Sequence, residues 1–148
     1  MPFVTNLSMT DVIHGRFPDW VNSNTILIQI QDVDYSPTAR FANVKRRSKF
    51  SSVYQFRFDD TTYEIGPDAD GNAITDDQAQ SIANILKNAY DKGKNVVVHC
   101  HAGVCQSGAV TEVAVMYGFT DVNKNTRIPN TLVKEKVCKH LDLKYSLE

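Results

Sequence analysis

One segment constrains the fold of this chain more than any other: a short apolar run, a loop that contains cysteines, and a second apolar run. Residues 95–99 are Asn-Val-Val-Val-His, a pattern typical of a strand that is covered on both faces of a sheet. Residues 109–117 are predominantly apolar, as in a helix at the centre of a domain. The residues between them form a short loop that opens this helix. The segment indicates an α/β fold with a ligand site beyond the carboxyl end of the strand.

The other elements follow from periodicity and from capping residues. Residues 25–30 are rich in branched side chains, and every second residue of 53–58 is aromatic, so both segments predict strands. Residues 75–78, Thr-Asp-Asp-Gln, have the form of a capping box and predict a helix that ends at Gly93. Asn130 is predicted to cap a last amphipathic helix. This order of strands and helices again indicates α/β architecture.

Composition and charge exclude several classes of protein. The chain has 148 residues, which predicts one domain spanning residues 1–148. It carries 16 Lys and Arg against 17 Asp and Glu, a balance that argues against binding to nucleic acid or to an acidic membrane. Its apolar runs are shorter than the roughly 20 residues that span a bilayer. The amino terminus lacks the features of a secretory signal, so we predict a cytoplasmic protein.

Three cysteines, Cys100, Cys105 and Cys138, are too few for a disulfide framework. Cys100 ends the predicted buried strand, where backbone N–H groups and a helix dipole converge. Such a place binds phosphate oxygens and stabilises a thiolate. Gly103 permits the turn of the backbone, and Ser107 brings a hydroxyl to the start of the helix. These groups suit transfer of a phosphoryl group to sulfur, while Cys138 is predicted to pack in the last helix.

The same residues resemble a known family. His99 and Cys100, with Gly103 and Ser107 at their places, resemble the signature loop of cysteine-based protein tyrosine phosphatases, especially the small dual-specificity type. The family pattern is His-Cys, five residues, Arg, and then Ser or Thr. Gln106 occupies the position of the arginine in this chain.

Two further segments extend the resemblance over roughly residues 53–140. Residues 58–60, Phe-Asp-Asp, are similar to the general-acid loop of the family, and residues 127–130, Arg-Ile-Pro-Asn, are similar to small phosphatases of bacteria and bacteriophages. The resemblance implies a three-layer α/β fold of the dual-specificity phosphatase type, with a central mixed, mostly parallel sheet flanked by helices.

The resemblance also implies a mechanism that needs no metal or other cofactor. Cys100 would attack phosphorus and form a phosphocysteine, Ser107 would stabilise the cysteine as it leaves, and His99 would orient the loop. The phosphate oxygens would be held by the backbone amides of His101, Ala102, Gly103, Val104, Cys105 and Gln106. The implied substrate is a phosphorylated protein or peptide, carrying phosphotyrosine or phosphoserine and phosphothreonine, or another phosphate monoester.

Three aspartates compete for the role of general acid. Asp60 ranks first because it follows a predicted strand, where the family places this group, and Asp59 ranks next. Asp68 competes because its distance in sequence from Cys100 is closer to the usual spacing of the family.

Gln106 leaves three interpretations open. Glutamine has no charge and fewer donors than arginine, so roughly 10²–10³ in rate is at stake. The chain is then a weak phosphatase, a pseudophosphatase that binds phosphorylated partners, or an enzyme in which Arg127 or Arg47 replaces the missing charge. An RNA-processing relative would need a broader basic surface than residues 45–49 provide.

Two other interpretations concern the cysteines of the loop. His99, Cys100, His101 and Cys105 are all residue types that bind zinc, but alternation along a strand would point residues 99 and 101 to opposite sides, which argues against a metal. Cys105 either forms a reversible disulfide with Cys100 or fills a position in the loop as a small residue.

Overall fold

The structure is a computed structural model that describes residues 2–33, 40–63 and 71–144. Asp68, one of the three candidate acids, lies outside these residues. No helix in the described ranges has the length and hydropathy of a transmembrane span. In chain order the elements are β1 (Val4–Ser8), α1 (Met9–His14), β2 (Thr25–Gln31), a 3₁₀ turn (Arg47–Lys49), β3 (Ser52–Arg57), α2 (Asp76–Asp91), β4 (Asn95–Cys100), α3 (Gln106–Tyr117) and α4 (Thr131–His140).

The four strands form one sheet in the order β1-β4-β2-β3. Every neighbouring pair in this sheet is parallel, and β4 and β2 occupy its centre. The α/β prediction is therefore confirmed. The expected mixture of strand directions is not found, because the part of the chain that the structure describes contributes no antiparallel strand to the sheet. All carboxyl ends lie at one edge, which is where parallel sheets place ligand sites.

Alternating side chains of the strands build a core on each side of the sheet. Ile28 and Val98 contact a cluster that includes α2, α3 and α4, and we call this side the three-helix face. Leu27 and Val97 contact a second cluster that includes Val12 of α1, and we call this side the α1 face. Successive residues of β4 therefore point to opposite sides, with Cys100 in the core of the three-helix face.

The helix predicted from its capping box is confirmed. Thr75 Oγ1 accepts from the Gln78 backbone N–H at 3.1 Å, and Gln78 Oε1 accepts from the Thr75 N–H at 2.9 Å. The cap at Asn130 is also confirmed, since its Oδ1 accepts from the Val133 N–H at 3.0 Å. The predicted helix after the loop begins earlier than expected, at Gln106, so this residue lies in the first turn of α3.

The amino-terminal strand and helix were not predicted from the sequence. β1 has the sequence Val-Thr-Asn-Leu-Ser, in which buried Thr5 and Asn6 interrupt the apolar pattern of a central strand. It pairs with β4 along its whole length. Ser8 ends the strand and caps α1 through a capping box with Asp11, so no loop separates the two elements. β1 thereby reaches the edge of the sheet where Cys100 lies.

Candidate active site

Cys100 is the last residue of β4 and is almost completely buried. The backbone N–H of Gly103 donates to Cys100 Sγ at 3.3 Å. The hydroxyl oxygen of Ser107 lies 3.1 Å from the same sulfur. The structure thus brings together the predicted nucleophile, one loop amide and the predicted leaving-group stabiliser. Both neighbours can donate a hydrogen bond to the sulfur.

The loop of residues 100–106, which we call the cysteine loop, is fixed through its backbone carbonyl oxygens. Four of them accept hydrogen bonds from groups outside the loop. The pairs are His101 O with Met9 N at 3.1 Å, Gly103 O with Asn6 Nδ2 at 2.6 Å, Val104 O with Ile128 N at 2.9 Å, and Cys105 O with Asn130 N at 3.0 Å.

These bonds determine where the amide hydrogens point. In a trans peptide the C=O and N–H bonds point in opposite directions, and the described residues contain no cis peptide. The N–H groups of Ala102, Val104, Cys105 and Gln106 therefore point away from the four partners. Within the described residues none of these N–H groups donates to a protein acceptor. Together with the amino terminus of α3 they form a site suited to an anion such as phosphate.

Gly103 is required by the close approach of β1 to the cysteine loop. Its φ of 82° lies in the left-handed region. A Cβ at this position would lie 2.6 Å from the carbonyl carbon of Leu7 and 2.6 Å from the nitrogen of Ser8. Because both contacts are to backbone atoms, they cannot be relieved by rotating a side chain. The predicted role of Gly103 in the turn therefore has a second, steric reason that the sequence did not indicate.

The side chain of Gln106 is buried, with 3% of its surface exposed. Its Nε2 donates to the carbonyl oxygen of Phe58 at 2.7 Å and to Asp32 Oδ1 at 3.3 Å. The amide donors of Gln106 are therefore engaged with the carboxyl ends of β2 and β3. Only its backbone N–H remains directed into the cysteine loop.

The two described candidate acids occupy different surroundings. Asp60 Oδ1 accepts from Asn130 Nδ2 at 2.8 Å, and the Asp60 carboxylate lies near the Cys105 thiol. Asp59 Oδ1 instead accepts from the Val33 N–H at 2.9 Å. Asp60 therefore lies beside the cysteine loop, whereas Asp59 is engaged with the segment that follows β2.

Cys105 is held as a thiol. Burial raises its pKa, and the nearby Asp60 carboxylate and Cys100 raise it further. Cys105 therefore lies in the loop as a neutral group beside Asp60.

His99 points to the α1 face, into a row of polar side chains that crosses the sheet. Gln55 Nε2 donates to Gln29 Oε1 at 3.0 Å, and Gln29 Nε2 lies 3.1 Å from His99 Nε2. Because the Gln29 amide can only donate through nitrogen, His99 Nε2 is an acceptor and the ring proton is on Nδ1. Nδ1 faces the Cys100 carbonyl oxygen at 3.5 Å. Burial lowers the pKa of His99 to about 4, so the ring is neutral near pH 7.

Neither arginine suggested as a replacement for the missing charge reaches the cysteine loop. Arg127 Nη1 lies 2.9 Å from Asp121 Oδ2, and its Nε lies 3.3 Å from Glu112 Oε2, farther along α3. Arg47 lies in the 3₁₀ turn that precedes the amino end of β3, at the opposite edge of the sheet from Cys100.

Three residues of the site were missed by sequence reasoning: Asn6, Asp32 and, in its second role, Asn130. Asn6 holds the Gly103 carbonyl, Asp32 accepts from Gln106, and the Asn130 amide contacts Asp60. A buried asparagine in a strand is an available signal for Asn6, since such a residue needs hydrogen-bond partners. No group of three or more metal-binding side chains converges within the described residues.

Comparison with protein-family models, with curated proteins and with solved structures gives no match for this chain. Its function is therefore argued from the geometry of the site.

Proposed function

We propose that this protein hydrolyses phosphate monoesters through a phosphocysteine on Cys100, as a phosphatase of the protein tyrosine or dual-specificity type with a fold of that kind. The observation that carries the proposal is the position of Cys100 Sγ, which lies at the carboxyl end of a central strand and accepts from the Gly103 N–H. The Ser107 hydroxyl lies 3.1 Å from the same sulfur, and four further amides of the cysteine loop point away from the partners of the preceding carbonyl oxygens. Few structural roles of a buried cysteine would need such a set of donors.

The first step transfers the phosphoryl group to sulfur. The Cys100 thiolate attacks phosphorus, and the bond between phosphorus and the leaving oxygen breaks. The inward amides of the cysteine loop bind the non-bridging oxygens. Asp60, which is held beside the loop by Asn130, protonates the leaving alkoxide or phenoxide.

The second step releases phosphate. Asp60, now ionised, removes a proton from water, and the water oxygen attacks the phosphocysteine. The bond between phosphorus and sulfur breaks, and the electron pair returns to Cys100 as a thiolate. The Ser107 hydroxyl, 3.1 Å from Sγ, donates to that thiolate and lowers its energy as a leaving group.

Gln106 attenuates this reaction. The charge of the transferred phosphoryl group is balanced by neutral amides and by the helix dipole, without a guanidinium from position 106. We therefore propose a slow enzyme acting on a phosphorylated protein or peptide, or on another phosphate monoester, in the cytoplasm.

A pseudophosphatase that binds phosphorylated partners is the second candidate function. It is favoured by one observation, the engagement of both side-chain donors of Gln106 with Phe58 and Asp32. In this case the amides of the cysteine loop hold the phosphate, and turnover does not follow.

One experiment separates the two functions. An aryl phosphate is supplied to the wild type, to Cys100→Ser and to the control Cys138→Ser, which changes a buried cysteine on α4. If the protein is a phosphatase, we expect turnover in the wild type and in the control, loss of turnover in Cys100→Ser, and a phosphorylated cysteine in rapidly quenched samples. Binding of inorganic phosphate by calorimetry with no turnover would establish the binding protein instead. Absence of both turnover and phosphate binding would overturn both candidate functions.

A further inference from the structure

A cleft of about 260 Å³ opens at the carboxyl edge of the sheet, beside the cysteine loop. Its lining residues are Met9, Gln31, Asp32, Val33, Arg57 and His101. His101 directly follows Cys100, so a molecule whose phosphate occupies the cysteine loop is adjacent to this cleft. The mechanism proposed above assigns no role to it.

Arg57 is the cationic side chain of the cleft, and its position is fixed by two contacts. Nη1 donates to the carbonyl oxygen of Asp32 at 3.3 Å. The guanidinium carbon lies 4.3 Å from the centre of the Phe41 ring, an arrangement in which an aromatic face attracts a cation. Among the described residues, no carboxylate lies within ion-pairing distance of Arg57. Its charge is therefore not neutralised by this part of the protein.

Asp32 is the one acidic residue in the lining of the cleft, and its carboxylate is hydrogen-bonded to groups outside that lining. Asp32 Oδ1 accepts from Gln106 Nε2 and from the Asp60 backbone N–H, both at 3.3 Å. Alternation along β2 has the same consequence, since Gln31 lies in the register of Arg57 and the next residue points to the other side of the sheet. The Asp32 carboxylate thus lies on the three-helix face, whereas the side chain of Arg57, the last residue of β3, lies on the α1 face.

The geometry points to Arg57 as a specificity-determining residue that binds a second anionic group carried by the leaving group of the substrate. This inference rests on the proposed phosphatase function and adds a substrate class to it: phosphate monoesters with a carboxylate or a further phosphate close to the ester. A guanidinium held by an aromatic ring and a carbonyl oxygen retains several N–H donors for such a group. It also supplies a positive charge in a cleft that shares His101 with the cysteine loop, whereas position 106 provides none.

The test compares two substrates that differ in charge and hardly in shape, 3-carboxyphenyl phosphate and 3-carbamoylphenyl phosphate. We expect wild type to prefer the carboxylate in kcat/KM by about fivefold to tenfold, a value set by a half-exposed charge-assisted contact. Arg57→Gln should bring the ratio close to one by lowering kcat/KM for the carboxylate alone. Arg57→Lys should keep part of the preference, and Arg16→Gln, which changes an exposed arginine on the end of α1, should keep all of it.

A binding measurement distinguishes failure of this inference from failure of the proposed function. The affinities of both substrates for Cys100→Ser are measured by calorimetry at low and high salt. A preference for the carboxylate that disappears in Cys100→Ser/Arg57→Gln supports the role of Arg57 even if turnover is slow. Hydrolysis of both substrates at equal rates, with equal affinities, would overturn the role of Arg57 and leave the phosphatase function intact. If neither substrate is bound or hydrolysed, the proposed function and this inference both fail.

Discussion

Gln106 Nε2 donates to the Phe58 carbonyl oxygen at 2.7 Å, which ties the first turn of α3 to the segment that leads from β3 to Asp60. Gln106, which stands where the signature loop of tyrosine phosphatases has an arginine, therefore joins the two halves of the candidate site. It does so with the donors that would otherwise be available to a bound phosphate.

Gln106→Arg should increase turnover. Arginine has five N–H donors and a permanent charge, so it can keep the contacts with Phe58 and Asp32 and still donate to phosphate oxygens. We expect kcat/KM for an aryl phosphate to rise at least about tenfold, and by up to the roughly 10²–10³ that one oxyanion donor is worth. Gln106→Lys, which adds charge without the planar group, should give a smaller increase. Equal rates for wild type and Gln106→Arg would contradict the explanation of slow catalysis by Gln106.

Asp60→Asn should slow substrates with poor leaving groups most. A general acid matters when the leaving oxygen is strongly basic, so we expect a decrease of about 10² or more for phenyl phosphate and a much smaller one for a nitrophenyl phosphate. The matched control is Asp59→Asn, because Asp59 accepts from the Val33 N–H in the segment that follows β2. Steady-state rates of both variants on both substrates provide the measurement. A larger effect of Asp59→Asn on phenyl phosphate would assign the acid to Asp59.

Gly103→Ala should lower the stability of the folded protein and displace the cysteine loop. Gly93 provides a control, since its φ of 67° is also positive but nothing lies within 4 Å of a Cβ built there. We expect Gly93→Ala to cost about 1 kcal/mol in the free energy of unfolding, from backbone strain alone. Gly103→Ala should cost clearly more, because its Cβ also meets the backbone of β1. Urea unfolding of both variants checks this, and equal losses would show that β1 yields to the added atom.

His99 should make stability depend on pH. Its pKa is about 4 in the folded chain and near 6.5 when exposed, so the unfolded chain takes up a proton over this range that the folded chain does not. The free energy of unfolding should therefore fall as pH falls from about 6.5 to about 4, by about 3 kcal/mol in total. His99→Gln should reduce this decrease, whereas His14→Gln, an exposed control on α1, should not. Identical pH profiles of wild type and His99→Gln, measured as urea midpoints, would contradict the assignment.

Sequence reasoning succeeded where a local signal determines the outcome. The capping box of Thr75 and Gln78 and the apolar run of β4 both reflect interactions between close neighbours, and the structure has them as predicted. It failed for β1, whose two apolar residues give no periodicity and whose burial depends on pairing with β4. A strand that owes its position to a distant partner leaves little trace in its own residues.

The same distinction applies to the site. Cys100, Gly103 and Ser107 lie within one short segment, residues 100–107, so their spacing in sequence predicted the contacts with Cys100 Sγ that the structure shows. The contact of Gln106 with Asp32 links residues that are far apart in sequence, and no sequence pattern predicts it. The environments of Asp59 and Asp60 depend in the same way on Val33 and on Asn130, which only the fold brings near.

The backbone of the cysteine loop is held by hydrogen bonds to its carbonyl oxygens, and these bonds do not depend on a charge at position 106. Asn6, Met9, Ile128 and Asn130 hold the backbone in place, and none of these bonds involves the side chain at position 106. A substitution of Gln106 can therefore change the rate of catalysis while the backbone of the cysteine loop stays in place. On the proposed function, one substitution at position 106 would therefore convert hydrolysis of a phosphate into binding of it, or the reverse, while the backbone bonds of the cysteine loop stay in place.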